Sequence, residues 1–294
     1  MAMSTINQLE AFQESTHLLN DRQALQDRAH DQGYLYFKGL LNKEKILDLR
    51  KSILEIIKKH GWLEPCRTLM DGISKPGINV VEGSDNDYRH YYNDILSLRS
   101  FHALSHDPTI IALFEKLFGE SVLVHSRNIL RTIFPGITKH TTPPHQDYFY
   151  IGGTVDTWTS WIPCGDCPEE LGGLAIIPGS HKRGLLDTRS AMGAGGHQVD
   201  VMENDLWCTN EVECGDVLLM NSMTIHQGRD NNTADRIRLS MDFRYQPISH
   251  PIREDSLTPH LVNSDEWEKY YENWSKEDDL KYYWKKMTLN IISR

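Results

Sequence analysis

His145 and Asp147 stand two residues apart in "PPHQDY" (143–148) and offer an imidazole and a carboxylate that can work together. In a strand, residues i and i+2 point to one face, so the two would lie side by side with Gln146 turned away. Such a pair can ligate a metal, and it asks for a third ligand on another strand. The run "DVLLMNSMTIHQG" closes an apolar strand with His226, just before Gly228 and a polar loop. His145, Asp147 and His226 would form the face of two histidines and one carboxylate that suits Fe(II), leaving three positions open for an organic cosubstrate and O2.

Further along, "RIRLSMDFRYQ" (236–246) alternates. Arg236, Arg238, Ser240, Asp242 and Arg244 share one face, and Ile237, Leu239, Met241, Phe243 and Tyr245 share the other. Repeated arginine inside a sheet is costly unless it meets an anion or water. The anion that fits is the distal carboxylate of 2-oxoglutarate, gripped by a guanidinium through two parallel hydrogen bonds, with Ser240 adding a third. Arg238 leads, because Arg-x-Ser puts both donors on one side; Arg236 is the reserve. On the residues alone, pairing of these arginines with Asp235 and Asp242 on a solvated face stays open.

These residues need a scaffold. Its first part, 1–120, is expected to be helix-rich. A polar helix is expected over Leu9–His30, a strand from Gly33, a helix capped by Asn42 and stopped by Gly61, and a helix from Pro108 to Gly119. The polar, Gly-containing stretch Asp71–Asp94 reads as a long loop over the site. From Glu120 on, short strands separated by turn signals predict an antiparallel sandwich or barrel of the jelly-roll kind. They are "SVLVHSRNILRTIF", "HQDYFYIG", "TWTSWIP", "GLAIIPGS", "DVLLMNSMTIH" and "RIRLSMDFRYQ". In the extension 248–294, Ser264 can cap a helix whose Trp267, Tyr270, Tyr271 and Trp274 form one aromatic face, expected to pack outside the sheet.

The 294 residues show no seam and are read as one domain, 1–294, with 121–247 as its core. A net charge of −10 argues against a nucleic-acid partner. No run approaches the roughly 18 apolar residues that span a bilayer, and no leader pattern is seen. Five cysteines form no disulfide framework, so a cytoplasmic location is expected. Cys164-x-x-Cys167 has zinc or redox spacing but no second pair, and reads as a turn.

Three ordered segments, "PPHQDYFYIGG", "TWTSWIPCGDCPEELGGLAIIPGSHKRG" and "IHQGRDNNTADRIRLSMDFRYQP", resemble the phytanoyl-CoA dioxygenase family of Fe(II)/2-oxoglutarate oxygenases across Val122–Pro247. The resemblance implies a double-stranded β-helix, cupin-like and mainly β, buttressed by N- and C-terminal helices. It implies His145, Asp147 and His226 as iron ligands, with no catalytic residue beyond them. It also implies a cosubstrate arginine between Arg236 and Arg238, and Trp161 as an aromatic looking toward the cosubstrate. The cofactors would be Fe(II), 2-oxoglutarate and O2, and the products succinate, CO2 and an oxidised small molecule, a natural-product intermediate before an acyl-CoA. Hydroxylation is favoured because Asp147 is present, whereas related halogenases lack the carboxylate ligand.

For substrate walls, the same reading takes Asp71–Asp94, Leu185–Trp207, Tyr88, Tyr91, Tyr92 and Trp207, with Arg67 or Arg89 available for an acid. His181 is read as structural, His140 as a loop residue, and Arg131 as either reaching a carboxylate or forming a surface ion pair. The competing class is a jelly-roll metalloprotein that does not use 2-oxoglutarate, a cupin-type isomerase or a metal-dependent binding module. The oligomeric state is not legible.

Overall fold

The computed structural model describes residues 9–78, 80–83, 86–137, 141–261 and 266–294. Its first helix is shorter than the sequence suggests. Leu9–Glu10 is a strand, β1, and α1 (Arg22–Gln32) begins only after Asp21, whose carboxylate accepts the Ala24 N–H at 3.0 Å. The segment between them spends its backbone groups elsewhere, as when the Ser15 N–H donates to Tyr36 O in β2 (Tyr34–Phe37). The next helix, α2 (Lys43–Lys59), follows its spacing. Asn42 caps it, Ile46, Leu49, Ile53 and Ile57 are buried, and Gly61 turns the chain at φ +75°.

The last part of the expected loop over Asp71–Asp94, from Asn86 on, is instead α3 (Asn86–Leu96). Tyr88, Tyr91, Tyr92 and Ile95 fall at i, i+3, i+4 and i+7, and this stripe packs into the core, where the tyrosines serve as packing. After α4 (Arg99–Leu104) comes α5 (Pro108–Phe118), started by Asp107 and Pro108 and stopped by Gly119.

The strands that follow are β3 (Val122–Val124), β4 (Ile129–Ile133), β5 (Trp158–Pro163), β6 (Leu174–Ile176), β7 (Thr188–Ser190), β8 (His197–Val199), β9 (Trp207–Cys208), β10 (Val217–Asn221), β11 (His226–Gly228) and β12 (Arg238–Pro247). The larger sheet runs β2-β10-β5-β12, and both β3 and β4 pair with the far side of β12; every pairing in it is antiparallel. The smaller sheet runs β1-β9-β6-β11. "HQDYFYIG" is not a strand. His145 makes a single antiparallel bridge to His226, and the chain then winds into the one-turn helix α6 (Tyr148–Ile151), where Asp147 O accepts the Tyr150 and Ile151 N–H groups.

Alternation along the strands builds two layers. Leu130, Leu219, Leu239, Met241, Phe243 and Tyr245 face the helices in the main core. On the inner face, Tyr34, Tyr36, Trp161, Leu218 and Met220 meet Phe12, Leu171, Ile176 and Cys208 from the smaller-sheet side. The result is a mainly β jelly roll buttressed by helices, with its site between the two sheets. Trp207 packs behind the smaller sheet with Ala175, Val199 and Ile225, away from any substrate space.

At the C-terminus, β13 (Ile252–Arg253) pairs in parallel with β14 (Ile291–Ile292), and the expected helix shrinks to the single turn α7 (Trp267–Tyr270). Ser264 lies outside the described residues. The aromatic face is real, since Trp267, Tyr270, Tyr271 and Trp274 are all buried, but successive turns carry it. It packs on helices: Tyr270 Oη donates to Asn93 Oδ1, and Trp274 Nε1 donates to Ser97 O, each at 2.8 Å. Among the described residues no helix is long and apolar enough to cross a membrane.

Candidate active site

The bridge between His145 and His226 brings two distant segments together. Each N–H donates to the other's carbonyl, at 2.9 and 3.0 Å, and the ring centroids lie 4.1 Å apart. Asp147 joins them by a route that strand periodicity does not describe. Its backbone is helical (φ −59°, ψ −31°), and the turn into α6 swings its carboxylate back toward the imidazoles. Oδ1 lies 3.6 Å from His145 Nε2 and 4.0 Å from His226 Nε2. One ligand atom from each residue falls within 4.8 Å of the others, and all three residues are buried. Among the described residues, no other histidine, cysteine or acidic cluster converges in this way.

The second layer fixes which atoms face the gap. His145 Nδ1 hydrogen-bonds Pro143 O at 2.8 Å and His226 Nδ1 hydrogen-bonds Thr224 O at 3.0 Å, so both Nε2 lone pairs point at the shared space. Thr159 Oγ1 donates to Asp147 Oδ2 at 2.6 Å, leaving Oδ1 for a ligand. Burial, then the neighbouring His145, pushes His226 down to about 4, which keeps its ring neutral. Burial opposes the charge on Asp147, but Arg244 and the two imidazoles outweigh it and hold the carboxyl well below its usual range. Two imidazoles and one carboxylate form a donor set suited to Fe(II).

The polar face of β12 turns inward, not to solvent. Arg238, Ser240 and Arg244 are buried. Arg238 Nη1 donates to the carbonyls of Gly172 (2.8 Å) and Gly173 (3.0 Å), while its Nε and the Ser240 Oγ are buried without a hydrogen-bond partner. Burial pushes the Arg238 guanidinium down from its ordinary value, and among the described residues no carboxylate pairs with it. Two orphaned donors beside an uncancelled buried cation fit an incoming carboxylate. Trp161 belongs to the same inner layer, beside Gly173 and Cys167. Arg236 sits at the surface and pairs with Glu170 at 3.2 Å.

Neighbouring residues sort themselves by contact. Gln146 is fully buried and ties three segments: its Nε2 donates to Gly184 O and Met223 O, and its Oε1 accepts the Leu186 N–H. His181 hydrogen-bonds His30 O at the surface, and His140 lies outside the described residues. Arg131 is no surface pair. It bonds both oxygens of Glu82 (2.6 and 2.7 Å) and one of Asp242 (3.0 Å) inside the protein. Cys164 and Cys167 are buried free thiols.

A cavity of about 1260 Å³ opens over the histidines and Asp147. Its walls come from β4, α6, the β7–β8 hairpin around Gly195, and the C-terminal extension at Leu257, Leu261 and Met287. Arg67 and Arg89 take no part, whereas Glu82, Arg127, Arg131 and Arg244 do. Alternation had already placed Arg244 on the site's face. Nothing local marks Thr159, Arg127 or the Glu82–His260 contact, which spans 178 residues of chain.

Residues 29–240 match the family described as Phytanoyl-CoA dioxygenase (PhyH). Over 268 residues, 85% of this chain and 90% of the relative, the chain is 32% identical to "1-deoxypentalenic acid 11-beta-hydroxylase" of Streptomyces exfoliatus. The crystal structure of the epimerase SnoN in complex with Fe3+, alpha ketoglutarate and nogalamycin RO superposes with a TM-score of 0.57 at 19% identity, over 79% of this chain and 85% of that one. EctD from S. alaskensis with bound Fe gives a TM-score of 0.55 at 17% identity, over 85% and 83%. Both structures share the jelly-roll fold described above.

Proposed function

We propose, for a chain that belongs to the phytanoyl-CoA dioxygenase family and is an Fe(II)- and 2-oxoglutarate-dependent oxygenase, that His145, Asp147 and His226 hold the iron. Arg238 and Ser240 hold the distal carboxylate of 2-oxoglutarate, with Trp161 beside them. Arg236, occupied by Glu170 at the surface, is set aside. Residues 1–294 act as one catalytic unit, and the free cysteines support a cytoplasmic location.

Iron so held, with 2-oxoglutarate and O2, supplies the oxidant that hydroxylates an unactivated C–H bond while the cosubstrate leaves as succinate and CO2. The protein's own part is placement. Pro143 O and Thr224 O orient the imidazoles, and Thr159 holds the carboxylate. The guanidinium of Arg238 fixes the far end of the cosubstrate, and the cavity brings a small organic molecule against the same metal face. The Streptomyces relative points to a natural-product intermediate as that molecule.

The observation that carries the proposal is the convergence of three donor atoms within 4.8 Å at the wall of the cavity. Its test is an anaerobic titration. Fe(II) and 2-oxoglutarate should give a metal-to-ligand charge-transfer band, which His226→Ala abolishes and Arg238→Ala restores only at cosubstrate levels raised about tenfold or more. A band of undiminished strength in His226→Ala removes the assignment.

A further inference from the structure

One wall of the cavity is built by an extended segment near the end of the chain. Met287, Leu289 and Ile291 line the cavity, whereas Thr288, Asn290 and Ile292 do not. An extended backbone puts every second side chain on one side, so this alternation gives a stripe of three apolar groups. Met287 and Leu289 are only half-buried and Ile291 is 54% exposed, so their hydrocarbon is not spent on the core. Apolar side chains left facing a cavity of about 1260 Å³ describe a binding wall better than a packing surface. The family match ends at residue 240, so this wall lies outside the matched stretch.

The wall is anchored at both ends. Trp284 is buried against Trp267, their ring centroids 5.3 Å apart, and its carbonyl accepts the Met287 N–H at 3.2 Å. At the far end the Ile252 N–H donates to Asn290 O at 2.9 Å, within the pairing of β13 with β14. β13 is itself registered to the candidate metal site. Arg253 Nη2 donates to Tyr150 O in α6, the helix that Asp147 opens, and a Cβ at Gly153 would lie 2.9 Å from Pro251 O. Met287 and Leu289 therefore stand at a set distance from the metal face.

Resting on the oxygenase reading above, we infer that 287–291 is the specificity-determining wall of the substrate space, with Leu289, flanked by Met287 and Ile291, fixing the bulk of skeleton accepted. A hydrocarbon wall selects by volume, and its fixed position sets which carbon faces the metal. The residues proposed for iron and cosubstrate lie within 145–240, so chemistry and selection are carried by separate stretches of the chain.

The test uses the full-length protein with Fe(II) and saturating 2-oxoglutarate, without O2. The probes are three neutral alcohols of rising bulk, cyclohexylmethanol, 1-adamantanemethanol and dehydroabietol, each read by its perturbation of the charge-transfer band. Wild type should bind at least one. Leu289→Trp, which fills the space, should shift relative affinity toward the smaller alcohols by about tenfold or more. Leu289→Ala, which vacates it, should shift relative affinity toward the larger ones by several-fold, and Met287→Ala should act in the same direction. Thr288→Ala, at the outward position between them, should leave the preference within about twofold. The band without alcohol should persist in every variant. Should Leu289→Trp not fold, Leu289→Ala against Thr288→Ala decides.

Three outcomes overturn the inference: no alcohol bound by wild type, a preference that a folded Leu289 variant leaves unmoved or moves the opposite way, or a shift in Thr288→Ala as large as in Leu289→Ala. A wild-type band that never forms instead removes the oxygenase assignment itself, and this inference with it.

Discussion

His145 and His226 are oriented by the same local device: each ring's Nδ1 hydrogen-bonds the carbonyl two residues earlier in its own chain, Pro143 O and Thr224 O. Backbone carbonyls cannot be removed by substitution, but Asp147, the proposed third ligand, is held by a side chain. Thr159→Val, which keeps the volume and deletes the hydroxyl bonded to Asp147 Oδ2, should weaken Fe(II) binding by about 10- to 100-fold. Thr159→Ser should recover most of it. Competition titration with a chelator checks both. Unaltered affinity in the valine variant would mean that α6 alone positions the carboxylate.

Arg236 and Arg238 should separate cleanly in kinetics. The exposed Arg236–Glu170 pair is worth no more than about 1 kcal/mol, so Arg236→Ala should leave the KM for 2-oxoglutarate within about twofold. Ser240→Ala should raise that KM by several-fold, because it removes one of the two unpartnered donors proposed to meet the carboxylate. Succinate formation measured against cosubstrate concentration decides, and the reverse ordering would move the role to Arg236.

Acid should destabilise the iron-free fold before its carboxylates titrate. Burial pushes His102 down to about 4 and His125 to about 3, and neither is a metal-site residue. Below pH about 6.5 the unfolded chain takes up protons that the folded one refuses, so stability declines as pH falls, by about 1.4 kcal/mol per unit for each ring, until the folded values are reached. Above that window these rings add no slope. Glu82, held down to about 2 against burial by Arg131 and His260, adds a loss of the same sign from the ordinary carboxylate range downward. Denaturant melts of wild type and His102→Gln across pH about 8 to 5 check this. A flat wild-type profile below neutrality would contradict it.

A methyl group at Gly33 should reach the metal site through two shells. Gly33 adopts φ +70°, and a Cβ there would overlap His181 Nδ1 and lie 2.6 Å from Thr224 Oγ1. Thr224 carries the carbonyl that orients His226. Gly33→Ala should therefore cost about 2 kcal/mol or more in stability and weaken Fe(II) binding as well. Thermal melts with iron titrations test the link. Lost stability with unchanged iron affinity would confine the damage to the turn.

The chemistry of this site was more legible than its geometry. The alternation of β12 correctly put Arg238, Ser240 and Arg244 on one face, because the polar–apolar alternation of residue types follows the strand pleat even though both faces are buried. The pairing of His145 with Asp147 was anticipated for a reason that does not apply, since Asp147 opens a helix and tertiary context, not strand pleat, aims its carboxylate. The tyrosines of α3 had helical spacing, but the Gly, Ser and Asp residues before them concealed it. Arg127 and the Glu82–Arg131–His260 group depend on loops that meet only after the sheets close, and no local pattern encodes such meetings.

The grip of the Gly172 and Gly173 carbonyls on Arg238 has a thermodynamic consequence. On the role proposed for Arg238, a guanidinium already tethered on one edge and desolvated on the other is set before its anion arrives, so folding and cosubstrate loading would share a single free-energy balance. 2-Oxoglutarate should thus raise the melting temperature even of iron-free protein, in proportion to the logarithm of its concentration. Cellular supply of that metabolite would then tune how long the polypeptide persists as well as how fast it turns over.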